Sequence, residues 1–164
     1  MSTRTLVVLR HAKAANPEGI ADTDRPLSDR GHADAAAAGA WIVHSGLVPE
    51  LVLCSPALRT RQTWHGVALN LNAAPEVRYE PAMYGGSVRA LLAVVRSSAP
   101  EAGTVLLIGH NPGVSELSLT LDPDRADGEG LRTAGIAVHT IAGTWTDLTP
   151  GQAPLSTSHT PRAD

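Results

Sequence analysis

Thr5-Leu6-Val7-Val8-Leu9-Arg10-His11 is the stretch whose reading decides the fold. Its apolar run, Leu6 to Leu9, has no polar interruption, as expected of a strand buried on both faces at the centre of a parallel sheet. The run ends abruptly on a guanidinium and an imidazole. Two later stretches have the same form, Leu51-Val52-Leu53-Cys54 and Val105-Leu106-Leu107-Ile108. Val77-Arg78-Tyr79 reads as a shorter strand.

Helical patterning fills the intervals. Ala33, Ala36, Ala37, Ala40, Trp41 and His44 recur at three- and four-residue spacing, with Ser28 as N-cap and Gly46 at the stop. Ser55-Pro56 and Asn111-Pro112 read as caps followed by first-turn prolines. The first opens a helix to about Leu71, and the second a helix through Val114, Leu117 and Leu121. Ser87 caps another through Leu91, Leu92, Val94 and Val95. Residues 12–27 carry Pro17, Gly19 and Pro26 without periodicity and read as a loop.

Strands alternating with helices require right-handed crossovers, so the expected fold is α/β, a three-layer α/β/α sandwich with a mostly parallel central sheet. Ile136 to Ile141 and residues 145–148, joined by Ala142-Gly143-Thr144, are expected to close it as an antiparallel hairpin. From Pro150 onward Pro, Ser and Thr dominate. A disordered tail over 150–164 is expected, behind one domain over 1–149.

With 164 residues, 43% hydrophobic content, no Phe and 3% aromatics, the core must be built from aliphatic side chains. A net charge of -3 argues against a broad electrostatic grip on nucleic acid or anionic membrane. No stretch is long and apolar enough for a spanning helix, and residues 1–5 show no signal-peptide pattern. Cys54 is the only cysteine, which removes a disulfide framework and a thiolate zinc cluster, and the cytoplasm is the expected compartment.

Chemistry-bearing residues recur at one end of the expected strands. Arg10-His11 follows the first, Arg59 lies one helical turn beyond the second, and His110 follows the fourth. In open α/β sheets ligands bind outside the carboxyl ends of the strands, so these residues would meet at one edge. Taken singly, His11 or His110 reads as an ordinary hydrogen-bonded histidine and Arg59 as a solvated helix residue. Their shared placement is what a functional site explains. The helix starts at Ser55 and Asn111 would bring backbone N–H groups to the same anion site.

These residues also carry a family resemblance. Leu9-Arg10-His11-Ala12-Lys13 resembles the Arg-His signature of the histidine phosphatase (phosphoglycerate mutase-like) superfamily. Ser55-Pro56-Ala57-Leu58-Arg59-Thr60-Arg61-Gln62-Thr63 is similar to its second motif, and Gly109-His110-Asn111-Pro112-Gly113 to its third. Asp24-Arg25-Pro26-Leu27-Ser28-Asp29-Arg30-Gly31 and the short chain point to the SixA-type phosphohistidine phosphatase branch. The resemblance implies that His11 is a nucleophile forming a phosphohistidine intermediate. Arg10, Arg59 and His110 would clamp the phosphoryl oxygens. Adjacent Arg10 should lower the His11 pKa. An acid for the leaving group is implied after the second motif. Glu80 is the candidate and Glu76 the alternative, set against the plainer reading of Glu80 as a solvated loop residue. Arg25 and Asn111 could extend the anion site, although Arg25 could equally pair with Asp22, Asp24 or Asp29.

Departures are few. Ala12 and Lys13 stand where many members have glycine and glutamate, and Asn16 lies one place short of the asparagine of mutase-type members. Other motifs fail on spacing: there is no zinc-type His pair, P-loop or dinucleotide fingerprint. Residues 122–128 resemble a calcium loop whose ligand pattern Pro123, Ala126 and Asp127 break. No metal and no cofactor are expected.

The substrate implied is a protein bearing phosphohistidine. A small-molecule phosphomonoesterase would use the same residues, and a catalytically inactive phosphoprotein-binding module is disfavoured by the presence of His11 with both arginines and His110. Between Glu80 and Val105 there is room for one helix only. The insertion from which mutase-like relatives build a lid is therefore missing, and an open site suits a macromolecule.

Overall fold

A computed structural model describes residues 3–164. Its six strands lie in the order β3-β2-β4-β1-β5-β6. They are β1 (Arg4–Arg10), β2 (Leu51–Cys54), β3 (Glu76–Tyr79), β4 (Thr104–Gly109), β5 (Ile136–Ile141) and β6 (Leu155–His159). The first four run parallel; β5 is antiparallel to β1, and β6 to β5. Four helices connect them: α1 (Asp29–His44), α2 (Leu58–Ala68), α3 (Val88–Arg96) and α4 (Gly113–Leu121).

Alternation along β1 explains the three layers. Val7 and Leu9 face Ala38 and Ile42 of α1 and Trp64 and Val67 of α2. Leu6 and Val8 face the other side, where α3 contributes Leu91 and Val95 and α4 contributes Val114 and Leu117. With both faces covered, β1 can be apolar throughout. The aromatic-poor composition shows in how closely α1 and α2 approach. A Cβ at Gly39 would stand 2.6 Å from the Val67 carbonyl oxygen, and one at Gly66 would stand 2.6 Å from the Ala35 Cβ.

Ser28 caps α1 by accepting from the Gly31 N–H, and Ser87 caps α3 by accepting from the Ala90 N–H. The expected proline starts are displaced. α2 begins at Leu58 behind Ala57, and α4 at Gly113 behind Pro112. Ser55 and Asn111 are thereby left outside the helices, with their side chains used elsewhere. α2 also stops at Ala68, short of Leu71.

The end of the chain corrects two expectations. β5 does not pair with residues 145–148. Trp145 and Leu148 instead pin an irregular turn to the core, where Trp145 is 1% exposed and its Nε1–H donates to the Ala102 carbonyl at 2.8 Å. The partner of β5 is β6, inside the segment expected to be disordered. Its Ser- and Thr-rich sequence suits an edge strand, because one side of the ladder supplies the backbone bonds and polar side chains face solvent. Long-range contacts fix it. Ala153 is fully buried, His159 stacks on Trp41 with ring centroids 5.1 Å apart, and the Ala163 N–H donates to buried Asp34 at 3.0 Å. At the root of the segment the His139 ring bridges, its Nδ1 donating to the Ala153 carbonyl and its Nε2 accepting from the Ser118 hydroxyl, both at 2.8 Å. No helix among the described residues is long and apolar enough to cross a membrane.

Removing residues 153–164 strips this ladder and uncovers β5. The truncation is expected to cost about 2–4 kcal/mol and to lower Tm by roughly 4–16 °C, as read by thermal unfolding. An unchanged Tm would return the segment to the status of a tail.

Candidate functional site

β1 and β4 lie side by side in the sheet, yet the chain leaves them in opposite directions, to α1 and β2 on one side and to α4 and β5 on the other. This is a topological switch point, the place where an open α/β sheet offers a crevice. The register pairs Arg10 with Gly109, and the His11 N–H donates to the Gly109 carbonyl at 3.0 Å. His11 and His110 are therefore neighbours, their rings edge to face with centroids 5.3 Å apart.

His11 is 9% exposed. Its Nδ1 lies 2.7 Å from the Ala12 carbonyl oxygen, which can only accept, so the proton sits on Nδ1 and the lone pair on Nε2. The backbone is fixed as firmly. The His11 carbonyl accepts from the Ala134 N–H at 3.1 Å, and Ala134 holds a left-handed φ of 59°, a conformation alanine rarely adopts. His11 is pushed down to about 3, chiefly by burial, with His110, Arg59 and Arg10 adding smaller effects. The expected influence of Arg10 is present but lesser. His110 is likewise lowered to about 4 by burial first and by Arg59 next. Its Nε2 meets the Ser55 hydroxyl at 2.8 Å.

The second motif acts through one helix face. Arg59, Gln62 and Thr63 stand at i, i+3 and i+4 on α2. Thr63 Oγ accepts from the Ala12 N–H at 3.1 Å, and Gln62 Oε1 accepts from the Leu27 N–H at 2.7 Å. Both ends of the 12–27 loop are thus tied to the helix that carries Arg59. Arg10 is oriented by the Leu131 carbonyl, to which its Nη1 donates at 3.2 Å. Among the described residues, buried Arg10 Nε and His110 Nδ1 have no hydrogen-bond partner. A cavity of about 280 Å³ adjoins His110, between the Gly85-Gly86-Ser87 turn and the start of α4.

Four expected site residues, His11, Arg10, Arg59 and His110, are brought together, while others are occupied elsewhere. Glu80 lies just past the carboxyl ends of β2 and β3, but its carboxylate takes two bonds from Arg78, at 2.5 and 2.9 Å. Glu76, the alternative acid, pairs with Leu51 at the opposite end of the strands from the two histidines. Asn111 donates to the Leu131 carbonyl at 2.9 Å and accepts from Ser115, so it props the loop that orients Arg10. Arg25 forms the alternative ion pair, with Asp22 at 3.3 Å. Lys13 is exposed, and its carbonyl accepts from the Ser28 N–H at 2.9 Å.

The sequence reading missed Asp22 and Tyr84. Asp22 lies on a single 3₁₀ turn, Asp22–Asp24, inside the 12–27 loop. Its carbonyl and carboxylate accept from Arg59 at 2.7 and 3.1 Å, and the Tyr84 hydroxyl donates to the same carboxylate at 2.5 Å. These contacts hold Asp22 near pKa 2, with Tyr84 the largest cause and Arg59 the next. Tyr84 stands edge-on to His110, centroids 5.7 Å apart. Four aspartates crowd residues 22–34, and no local pattern separates this one from the rest.

The chain resembles known proteins in sequence and in fold. A profile of the histidine phosphatase superfamily (branch 1) matches residues 6–85. An uncharacterised protein of Mycobacterium tuberculosis is 38% identical over 162 residues, covering 94% of this chain and all of that one. SixA from Nakamurella multipartitia, a candidate phosphohistidine phosphatase, superposes with TM-score 0.85 at 34% identity over 98% of both chains. The protein histidine phosphatase SixA in complex with tungstate gives TM-score 0.82 at 26% identity, covering 96% of this chain and 97% of that one. The chain belongs to the histidine phosphatase superfamily, in its SixA-type branch. It is a phosphatase of that family, with a phosphoglycerate mutase-like α/β fold. Among the described residues of this SixA-type phosphatase, no group of three or more His, Cys, Asp or Glu side chains could hold a metal ion.

The buried histidines make stability depend on pH. Unfolded, each titrates near 6.5; folded, His11 and His110 titrate at about 3 and 4, and His139 is also lowered. Between those values the unfolded chain binds more protons, so their contribution is full above pH ~6.5 and declines as pH falls through the window. Tm measured from pH 7.5 to 4.5 is expected to fall, with a shallower slope in His11→Asn.

Proposed function

We propose that this phosphatase removes the phosphoryl group from phosphohistidine on a protein, through transfer to His11. The observation that carries the reading is the state of His11, neutral, buried, and fixed with its lone pair on Nε2 beside two arginines and His110.

In the first transfer the Nε2 lone pair bonds to phosphorus, and the bond to the substrate nitrogen breaks with its electron pair returning to that nitrogen. Arg10, Arg59 and His110 supply positive charge and N–H donors around the phosphoryl oxygens, whose charge persists through the transition state. In the second transfer water bonds to phosphorus and the electron pair of the N–P bond returns to Nε2. Phosphate leaves with the protons of the water.

Phosphohistidine is favoured over an alkyl phosphoester by the position of Glu80. An alkoxide needs a proton as it departs, whereas a protonated imidazole ring departs as a neutral base. The carboxylate that could have supplied the proton is engaged by Arg78 instead. The absence of a lid insertion agrees, since a single 3₁₀ turn, Pro81–Met83, and one α-helix, α3, are the helical elements between β3 and β4. The tungstate bound by a SixA relative is a tetrahedral oxyanion of the same shape as phosphate.

With phosphohistidine as substrate, His11→Ala is expected to abolish turnover and to leave no acid-labile label on the protein after rapid quenching. Arg59→Ala should lose about 10²–10³ in kcat, the size of effect produced by removing one positioned oxyanion donor. Glu80→Gln should change kcat/KM by less than about threefold, far below the ~10²–10⁴ of lost acid catalysis. A loss in the acid-catalysis range would restore Glu80 as the proton donor.

A further inference from the structure

The phosphoryl clamp contains a carboxylate. Asp22 occupies two donors of Arg59, a residue 7% exposed, through its backbone carbonyl and its side chain. Tyr84 and Arg25 also reach that side chain, at 2.5 and 3.3 Å. An anion placed against the arginine that grips phosphate weakens the grip on any phosphate dianion, because the two negative groups share one cation. Such an arrangement needs a substrate that gains from the carboxylate.

Position supplies the reason. His11 lies at the buried floor, and transfer in line with its Nε2 sends the leaving group away from it, toward solvent. Asp22 is the more exposed member of the cluster, its side chain 52% exposed against 9% for His11, and Tyr84 beside it is 38% exposed. We propose that Asp22 is the specificity-determining residue for the leaving group, accepting the N–H of a protonated imidazole ring and disfavouring leaving groups that depart as anions. The inference rests on the phosphohistidine reading above.

The charges balance without an acid. The substrate ring is phosphorylated on one nitrogen and carries a proton on the other, and the Asp22 carboxylate accepts that N–H. As the P–N bond breaks, its electron pair neutralises the ring, which leaves as imidazole with the proton retained. His11, bonded to phosphorus at Nε2 and protonated at Nδ1, takes over the cationic ring, with Ala12 still accepting from Nδ1. Asp22 remains a carboxylate throughout, in keeping with its lowered pKa of about 2. Arg59, Arg25, Tyr84 and His110 are the ionisable groups that surround it.

The test compares wild type with Asp22→Asn on two substrates, free phosphohistidine and 4-nitrophenyl phosphate, whose leaving group is an anion. The readout is the ratio of the two kcat/KM values, which a purely structural role would not move. Loss of a charge-assisted hydrogen bond to the leaving ring should lower the phosphohistidine-to-ester ratio by about tenfold or more. A smaller drop, or equal losses on both substrates, overturns the role of Asp22 and leaves the phosphohistidine reading standing. Wild-type protein that hydrolyses the ester and not phosphohistidine overturns both.

Discussion

Parallel pairing of β1 with β4 is the constraint on which the site depends. The two strands are adjacent in space and nearly a hundred residues apart in the chain, and their register ends on Arg10 beside Gly109. The next residue on each strand is a histidine. A shift of one residue in that register would turn Leu6 and Val8 toward the wrong helix layer, so core burial and the meeting of His11 with His110 are enforced by the same packing. The helix that brings Arg59 is held to the same strand end by Thr63, which accepts from the Ala12 N–H.

Burial then sets the chemistry. Both histidines are kept uncharged chiefly by desolvation, with the arginines as a lesser influence. A neutral imidazole with its proton anchored on the Ala12 carbonyl needs no separate base for the nucleophilic role proposed for it. The arginines remain the cations of the site, and Asp22 moderates one of them. The carboxylate near the sheet edge that a phosphoester hydrolase could have used as an acid is instead tied to Arg78.

The C-terminal segment is bound into the same framework. β6 covers β5, the strand beside β1, and the His139 bridge links that ladder to Ser118 of α4. Asp34, buried in α1, receives the Ala163 N–H and an ion pair from Arg162 at 3.7 Å. The last residues therefore clasp helices from both faces of the sheet, although their own composition contains little that could drive burial.

By itself the sequence determined the α/β class, the buried strands, the Ser28 and Ser87 caps, and the convergence of Arg10, His11, Arg59 and His110. All of these are written in local periodicity or in position at a strand end, which short-range physics reads directly. Tertiary structure alone decided the rest. β6 is a strand because β5 offers it an unpaired edge, a partner that its polar sequence cannot announce. Asp22 faces Arg59, 37 residues away, because folding brings that guanidinium group within reach, whereas Glu80 meets Arg78 from only two residues away and is a local pair. A carboxylate has the same chemistry in every loop of the chain, and only its neighbours in space assign it a role.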